Sequence, residues 1–149
     1  MMSQSRCWAA ILIAVLCCGC RPEAPRGEAR LKTTPVKGIV EVDGKPALNV
    51  SVKFIADGSS SDIARPALAT TNEKGAFAVS TYVAEDGLPD GDYVLTFVWE
   101  EAISLNPTKK DQLKGAYSDP KKSKHKVTVI QGTPIDMGVI ALSTTGAGK

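Results

Sequence analysis

Few residues in this chain are able to do chemistry, and most of them stand apart. His125 is the only histidine, set between Lys124 and Lys126 at the start of a strand-like run. That setting predicts a solvated side chain. All four cysteines, Cys7, Cys17, Cys18 and Cys20, fall in the first twenty residues, so the body of the chain has no disulfide and no thiolate site. A zinc centre needs more nitrogen or sulfur ligands than one histidine supplies. A Ser-His-Asp relay would have to run through His125, and no serine stands in a G-x-S-x-G elbow. Glu85, Asp86, Asp90 and Asp92 gather around one turn. Hard oxygen ligands suit calcium, which makes Asp86, Asp90 and Asp92 candidates for a weak site. Their spacing does not match an EF-hand loop, and turn-making aspartates explain the same residues. Lys37 and Asp136, with Glu41 nearby, stand on the first and last strands, where a Lys–Asp isopeptide bond would close. Trp99 and Tyr117 are the aromatics left to stack on a sugar ring if they are exposed. Lys109, Lys110, Lys114, Lys121, Lys122, Lys124 and Lys126 make a basic loop and strand start, suited to an anionic surface or to plain solvation.

The ends of the chain say more about location than these residues say about reaction. Met1 to Arg6 is polar with one positive charge, and Trp8 to Cys18 is uninterruptedly apolar. Such a run is too short for a bilayer core of about 30 Å, which takes about 20 residues, but it suits a signal peptide. Small Gly19 then precedes Cys20. Here the sequence resembles a bacterial lipoprotein precursor, whose lipobox ends in a small residue and the cysteine that receives diacylglycerol. Leu16-Cys17-Cys18-Gly19-Cys20 matches at Gly19 and Cys20 and departs at Cys17, where an aliphatic residue usually stands. Cys18 is the alternative acceptor. The resemblance implies residues 1–19 as signal peptide and Cys20 as the acylated first residue, with palmitate-type chains. Arg21, rather than Asp, in the next position implies the outer membrane. Residues 20–34 are Pro-, Ala- and charge-rich with no apolar period, which reads as a flexible tether.

The body is organised around Asp86 to Trp99. Its first half is a turn of Gly, Pro and Asp. Its second half, Tyr93 to Trp99, is apolar on both faces, so it belongs at the centre of a sheet. Shorter strands are expected at Val36–Val42, Asn49–Ile55, Ala67–Thr71, Ala76–Tyr82, His125–Gln131 and Met137–Leu142, with Asp43-Gly44 and Asn72 to Gly75 as turns. Glu100 to Lys124 is a long charged loop, which Leu113, Tyr117 and Pro120 would pin to the body. Gly91-Asp92-Tyr93 suits a tyrosine corner, and a core role for Tyr93 suits the same residues. About seven short strands without a helix argue for a single β-sandwich over residues 35–142, with 143–149 as a frayed tail. A net charge of +2 is too small to argue for nucleic acid.

Gly38-Ile39-Val40, Asp43-Gly44-Lys45-Pro46, Thr71 to Phe77, Asp86 to Tyr93 and Leu113 to Pro120 with Ser123, in that order, resemble the carboxypeptidase regulatory-like, or transthyretin-like, domains of bacterial surface lipoproteins. The resemblance implies an all-β, seven-stranded Greek-key sandwich of prealbumin type and no defined activity. Transthyretin-like hydrolases of the urate pathway end in Tyr-Arg-Gly-Ser and use several histidines; this chain ends Leu142-Ser143-Thr144-Thr145-Gly146 and has neither. Intradiol dioxygenases need paired His and Tyr iron ligands. The expectation is a non-catalytic, lipid-anchored protein of the cell envelope, needing no cofactor. It is moored to the membrane and binds or spaces an envelope protein or polysaccharide. A carbohydrate- or matrix-binding module and a small transthyretin-like hydrolase are the alternatives.

Overall fold

The structure, a computed structural model, describes residues 30–58, 66–100 and 110–145. The expected signal peptide, Cys20, residues 21–29 of the expected tether, Pro107 and Lys109 lie outside the described residues. Eight strands and no helix occur among the described residues, in two sheets.

In the first sheet, β1 (Val36–Val42) alternates strictly, with Val36, Gly38, Val40 and Val42 inward and Lys37 and Ile39 outward. Such a strand can bury only one face. Asp43 and Gly44 take φ of 50° and 76°, the left-handed pair that folds a two-residue hairpin back on its strand. The result is β2 (Lys45–Pro46), antiparallel to β1, and it raises the strand number from the expected seven to eight. β5 (Ala76–Ala78) pairs antiparallel with the same edge of β1, and β8 (Ile135–Leu142) pairs parallel with the other. The second sheet is wholly antiparallel: β4 (Ala67–Thr70), β3 (Val50–Ala56), β6 (Gly91–Trp99) and β7 (Lys126–Val129), in that spatial order. The two sheets share one core, and the Phe54 and Phe77 rings meet across it with centroids 6.2 Å apart.

β6 is interior to its sheet, as its two apolar faces require. Tyr93, Leu95 and Phe97 are fully buried on one face, and Val94 and Thr96 are buried on the other. The Tyr93 hydroxyl donates to Pro89 O at 2.9 Å, four residues upstream, and so the tyrosine-corner bond forms at the expected residue. Beyond Val94, β7 no longer covers this edge. There the N–H groups of Leu95 and Phe97 donate to His125 O and Tyr117 O, so the segment 111–125 extends the sheet as a strap.

Most strand limits shift by one or two residues, β8 starting at Ile135 rather than Met137 for example, and three differences change what packs. Thr34, placed in the tether, is 1% exposed and exchanges both backbone hydrogen bonds with Leu88, so packing starts there. The strand expected at Ala76–Tyr82 stops at Ala78, because Ser80 crosses to β4 and bonds Leu68 in both directions. The expected frayed tail is docked for its first residues. Asp43 accepts from Ser143 Oγ, Thr144 N and Thr144 Oγ1. Those bonds, the Thr144 hydroxyl foremost, lower the Asp43 pKa below the usual carboxylate value.

Candidate functional site

The acidic turn does not form a calcium site. Asp86 spends its carboxylate on backbone, accepting from Thr81 N at 2.7 Å, Tyr82 N at 2.9 Å and Val83 N at 3.1 Å. Asp92 accepts the Thr128 hydroxyl on β7 at 2.6 Å, and Asp90 is exposed. Asp86, Asp90 and Asp92 therefore do not converge. Among the described residues no three acidic, histidine or cysteine side chains gather as a ligand set.

The aromatic candidates are half-buried, which leaves neither as an open platform for a sugar. Trp99 donates from Nε1 to Leu48 O at 2.9 Å. Tyr117 meets Phe97 edge-on at 6.4 Å, and its hydroxyl accepts from Ser143 N at 3.0 Å. His125, expected in solvent, is half-buried against the same rings, 5.2 Å from Phe97 and 6.3 Å from Tyr117. Its flanking lysines are exposed, but its own ring faces inward. Its neighbour Ser123 donates its hydroxyl to Leu95 O at 2.6 Å, so it holds the strap. Pro120 is exposed and pins nothing, whereas Leu113 is 1% exposed and does. Asp111 anchors the start of the strap by accepting from Trp99 N, Leu113 N and Gly115 N.

Burial lowers the pKa of His125 below the usual 6.5. The unfolded chain therefore takes up a proton before the folded one does. Stability from this group is complete above the unfolded value and is lost as pH falls through the folded one. Because His125 is the only histidine, urea midpoints should fall between about pH 7 and pH 5. His125→Gln should flatten that part of the profile. Equal slopes in the two proteins would place the dependence elsewhere.

Lys37 and Asp136 do meet, with Nζ to Oδ2 at 3.4 Å, but their side chains are 68% and 60% exposed. The Gly138 N–H and the Lys37 ammonium lower the Asp136 pKa. An exposed, ionised carboxylate is a poor acyl donor and a protonated lysine a poor nucleophile, so the pair is a surface ion pair rather than an isopeptide precursor.

The open feature of the molecule lies beside this pair. β4 and β5, at the rims of the two sheets, are tied by the Leu68–Ser80 bridge at one end and by Asn72 N on Ala76 O at 2.9 Å at the other, and hollows lie along them. Two hollows form there, of about 530 Å³ and about 310 Å³, and they share Lys37, Ala78 and Glu85 as lining. Alternation along each strand turns the backbone groups of Thr70 and Ala78 toward the gap. Glu85 takes φ of 60°, with its N–H on Ser80 Oγ at 2.9 Å. The gap stays open because Ala69, Ala76, Ala78 and Ala84 are too small to fill it. Edge-strand backbone, two carboxylates (Glu85 and Asp136) and one ammonium (Lys37) can bind an extended peptide, and none of them is a nucleophile held by a base. Sequence reading missed this groove. Its one signal was the run of alanines on two facing strands, and alanine marks no chemistry.

No protein-family model matches the chain, and no curated protein matches it. Among solved structures it is similar to a 9R-lipoxygenase from Cyanothece, at 10% identity, over 74% of this chain and 16% of that one, with a TM-score of 0.40. It is also similar to a DUF3823 family protein from Parabacteroides merdae, at 16% identity, over 76% of this chain and 46% of that one, with a TM-score of 0.38. The chain spans less than half the length of either protein.

Proposed function

We propose that this chain is a non-catalytic, lipid-anchored protein of the bacterial envelope that holds a partner polypeptide in the groove between β4 and β5. One observation carries the binding half: two adjoining hollows open beside the Lys37–Asp136 ion pair, one of them lined by residues of both β4 and β5. Side chains with chemical potential support the non-catalytic half, because they are spent on the fold. Asp86 and Asp111 cap amides, Ser123 ties the strap and His125 packs on aromatics.

Support for the anchor comes from Leu16 to Cys20. Among the described residues, Leu31 N donates to Tyr82 Oη and Thr34 is the first buried residue. The eleven residues from Cys20 to Leu31 reach at most about 38 Å when extended. A domain on such a lead stays near the bilayer yet turns freely. Assignment to the prealbumin-like Greek-key class belongs to the same proposal, supported by the Tyr93–Pro89 bond, and so does residence in the outer membrane, supported by Arg21.

Mass spectrometry of the mature protein from labelled cells tests the anchor. Acyl chains should sit on Cys20. Cys20→Ala should lose the label and leave the membrane fraction, while Cys18→Ala should keep both. Mature protein with a free thiol at Cys20 would overturn the anchor. A photo-crosslinking residue at position 78 should trap a partner in envelopes where one at position 53 does not. Equal trapping at both positions would remove the groove.

A further inference from the structure

The strap carries a charge that the rest of the chain does not share. Taken with the flanking Lys110 and the first residue of β7, Lys126, the strap holds six lysines against two aspartates, a net +4, in a protein whose total is +2, so the remainder sums to −2. All six lysines are exposed. Lys126 pairs with Asp57 at 2.7 Å and Lys122 with Asp119 at 3.8 Å. Among the described residues, Lys110, Lys114, Lys121 and Lys124 have no acidic partner within salt-bridge distance. The two aspartates of the strap face other duties. Asp111 is held by three backbone amides, and Asp119 by Lys121 N and its ion pair. Lys114 takes φ of 54°, a left-handed conformation that a lysine seldom adopts, next to Gly115 at 75°. Buried Leu113, the Tyr117–Phe97 contact and the Ser123–Leu95 bond fix this frame. The backbone that carries these lysines is therefore already ordered, which leaves only side-chain freedom to lose on docking.

We infer that this basic strap is a docking face for anionic phospholipid headgroups, which seats the anchored domain against its own bilayer. The inference rests on the lipid-anchor reading. Each lysine near an anionic bilayer contributes weakly, so four unpaired ones give a free protein little affinity. A chain already moored by acyl groups meets the headgroups at high local concentration, and weak contacts then suffice to orient it. Charge complementarity selects the lipid class, and the tether selects a bilayer over a soluble polyanion.

Lysine footprinting on the full mature chain tests this. The protein is reconstituted in neutral phosphatidylcholine vesicles, or in vesicles with about a third phosphatidylglycerol. It is acetylated briefly and mapped by mass spectrometry. Lys110, Lys114, Lys121 and Lys124 should react about three-fold more slowly on the anionic bilayer, and the protection should vanish at high salt. Lys45, in β2, and Lys74, in the Asn72–Gly75 turn, lie outside the strap and should react alike in both. Equal rates at the strap lysines on both bilayers would overturn the proposal. If soluble polygalacturonate protects them as well as the anionic bilayer does, the face reads polyanions and the lipid assignment falls. Intact mass of the same sample reports acylation of Cys20 separately, so a failed anchor is not mistaken for a failed face.

Discussion

Gly87→Ala should destabilise the domain by more than about 4 kcal/mol, well outside the usual range for a single substitution. Gly87 takes φ of 88°, a region that costs a residue with a Cβ about 1–2 kcal/mol. The larger part is collision. A Cβ here would run into the Thr34 carbonyl and lie 2.7 Å from Pro35 Cα. Both obstacles are backbone, so no rotamer relieves them. The chain cannot move aside cheaply either. Gly87 N donates to Val79 O at 2.9 Å, and Thr81 Oγ1 donates to Gly87 O at 2.6 Å. Leu88 next to it is fully buried and paired with Thr34. Gly44→Ala is the control, because Gly44 takes φ of 76° with nothing within 4 Å of a Cβ. It should cost only the backbone part, about 1–2 kcal/mol. A domain of this size is stable by about 5–15 kcal/mol, so the two variants should separate clearly in urea. Matching midpoints would mean that the Thr34 crossing is loose.

That crossing was illegible from sequence for a reason that extends to most of what the sequence hid. Local pattern reports what a residue's neighbours in the chain require. The two-faced apolarity of Tyr93 to Trp99 is local, and it correctly put β6 inside its sheet. The alternation of β1 and the Asp43-Gly44 turn are local as well, and the expected and observed ranges of β1 coincide at Val36–Val42. The roles of single polar residues are not local. His125 looks solvated between two lysines, and only the return of the strap along β6 sets it against Phe97. Asp111 looks like one more charge in a basic loop, and only its meeting with Trp99 N, twelve residues back, makes it an anchor. Asp43 pairs with a segment about a hundred residues later. The aspartates of the acidic turn show the same limit from the other side. Turn chemistry accounts for Asp86, which accepts from three amides, whereas Asp92 reaches the Thr128 hydroxyl on β7, and neither destination is legible in the spacing. The groove is the clearest case. It is a space between strands from different sheets, and no residue on either strand announces it.

The strap supplies the second large expected effect. Leu113→Ala should cost about 2–5 kcal/mol, the usual range for emptying a buried leucine site. Leu113 is 1% exposed and belongs to the common core, although it lies in what the sequence presents as a charged loop. Its loss should not spread evenly. The strap holds the β6 edge through three backbone bonds: Gln112 N donates to Trp99 O at 2.8 Å, and the amides of Leu95 and Phe97 donate to the strap at 2.9 and 3.0 Å. Loosening Leu113 should therefore speed hydrogen exchange at those two amides first. On the other side of β6, Val52 faces Phe97 across the ladder with β3, and its protection should fall only with global stability. Exchange that rises equally at Val52, Leu95 and Phe97 would show that strap and sheet open as one unit. Exchange confined to Leu95 and Phe97 would show a separable clasp. It would also predict weaker shielding of the strap lysines on an anionic bilayer, because the frame that orders them would be gone.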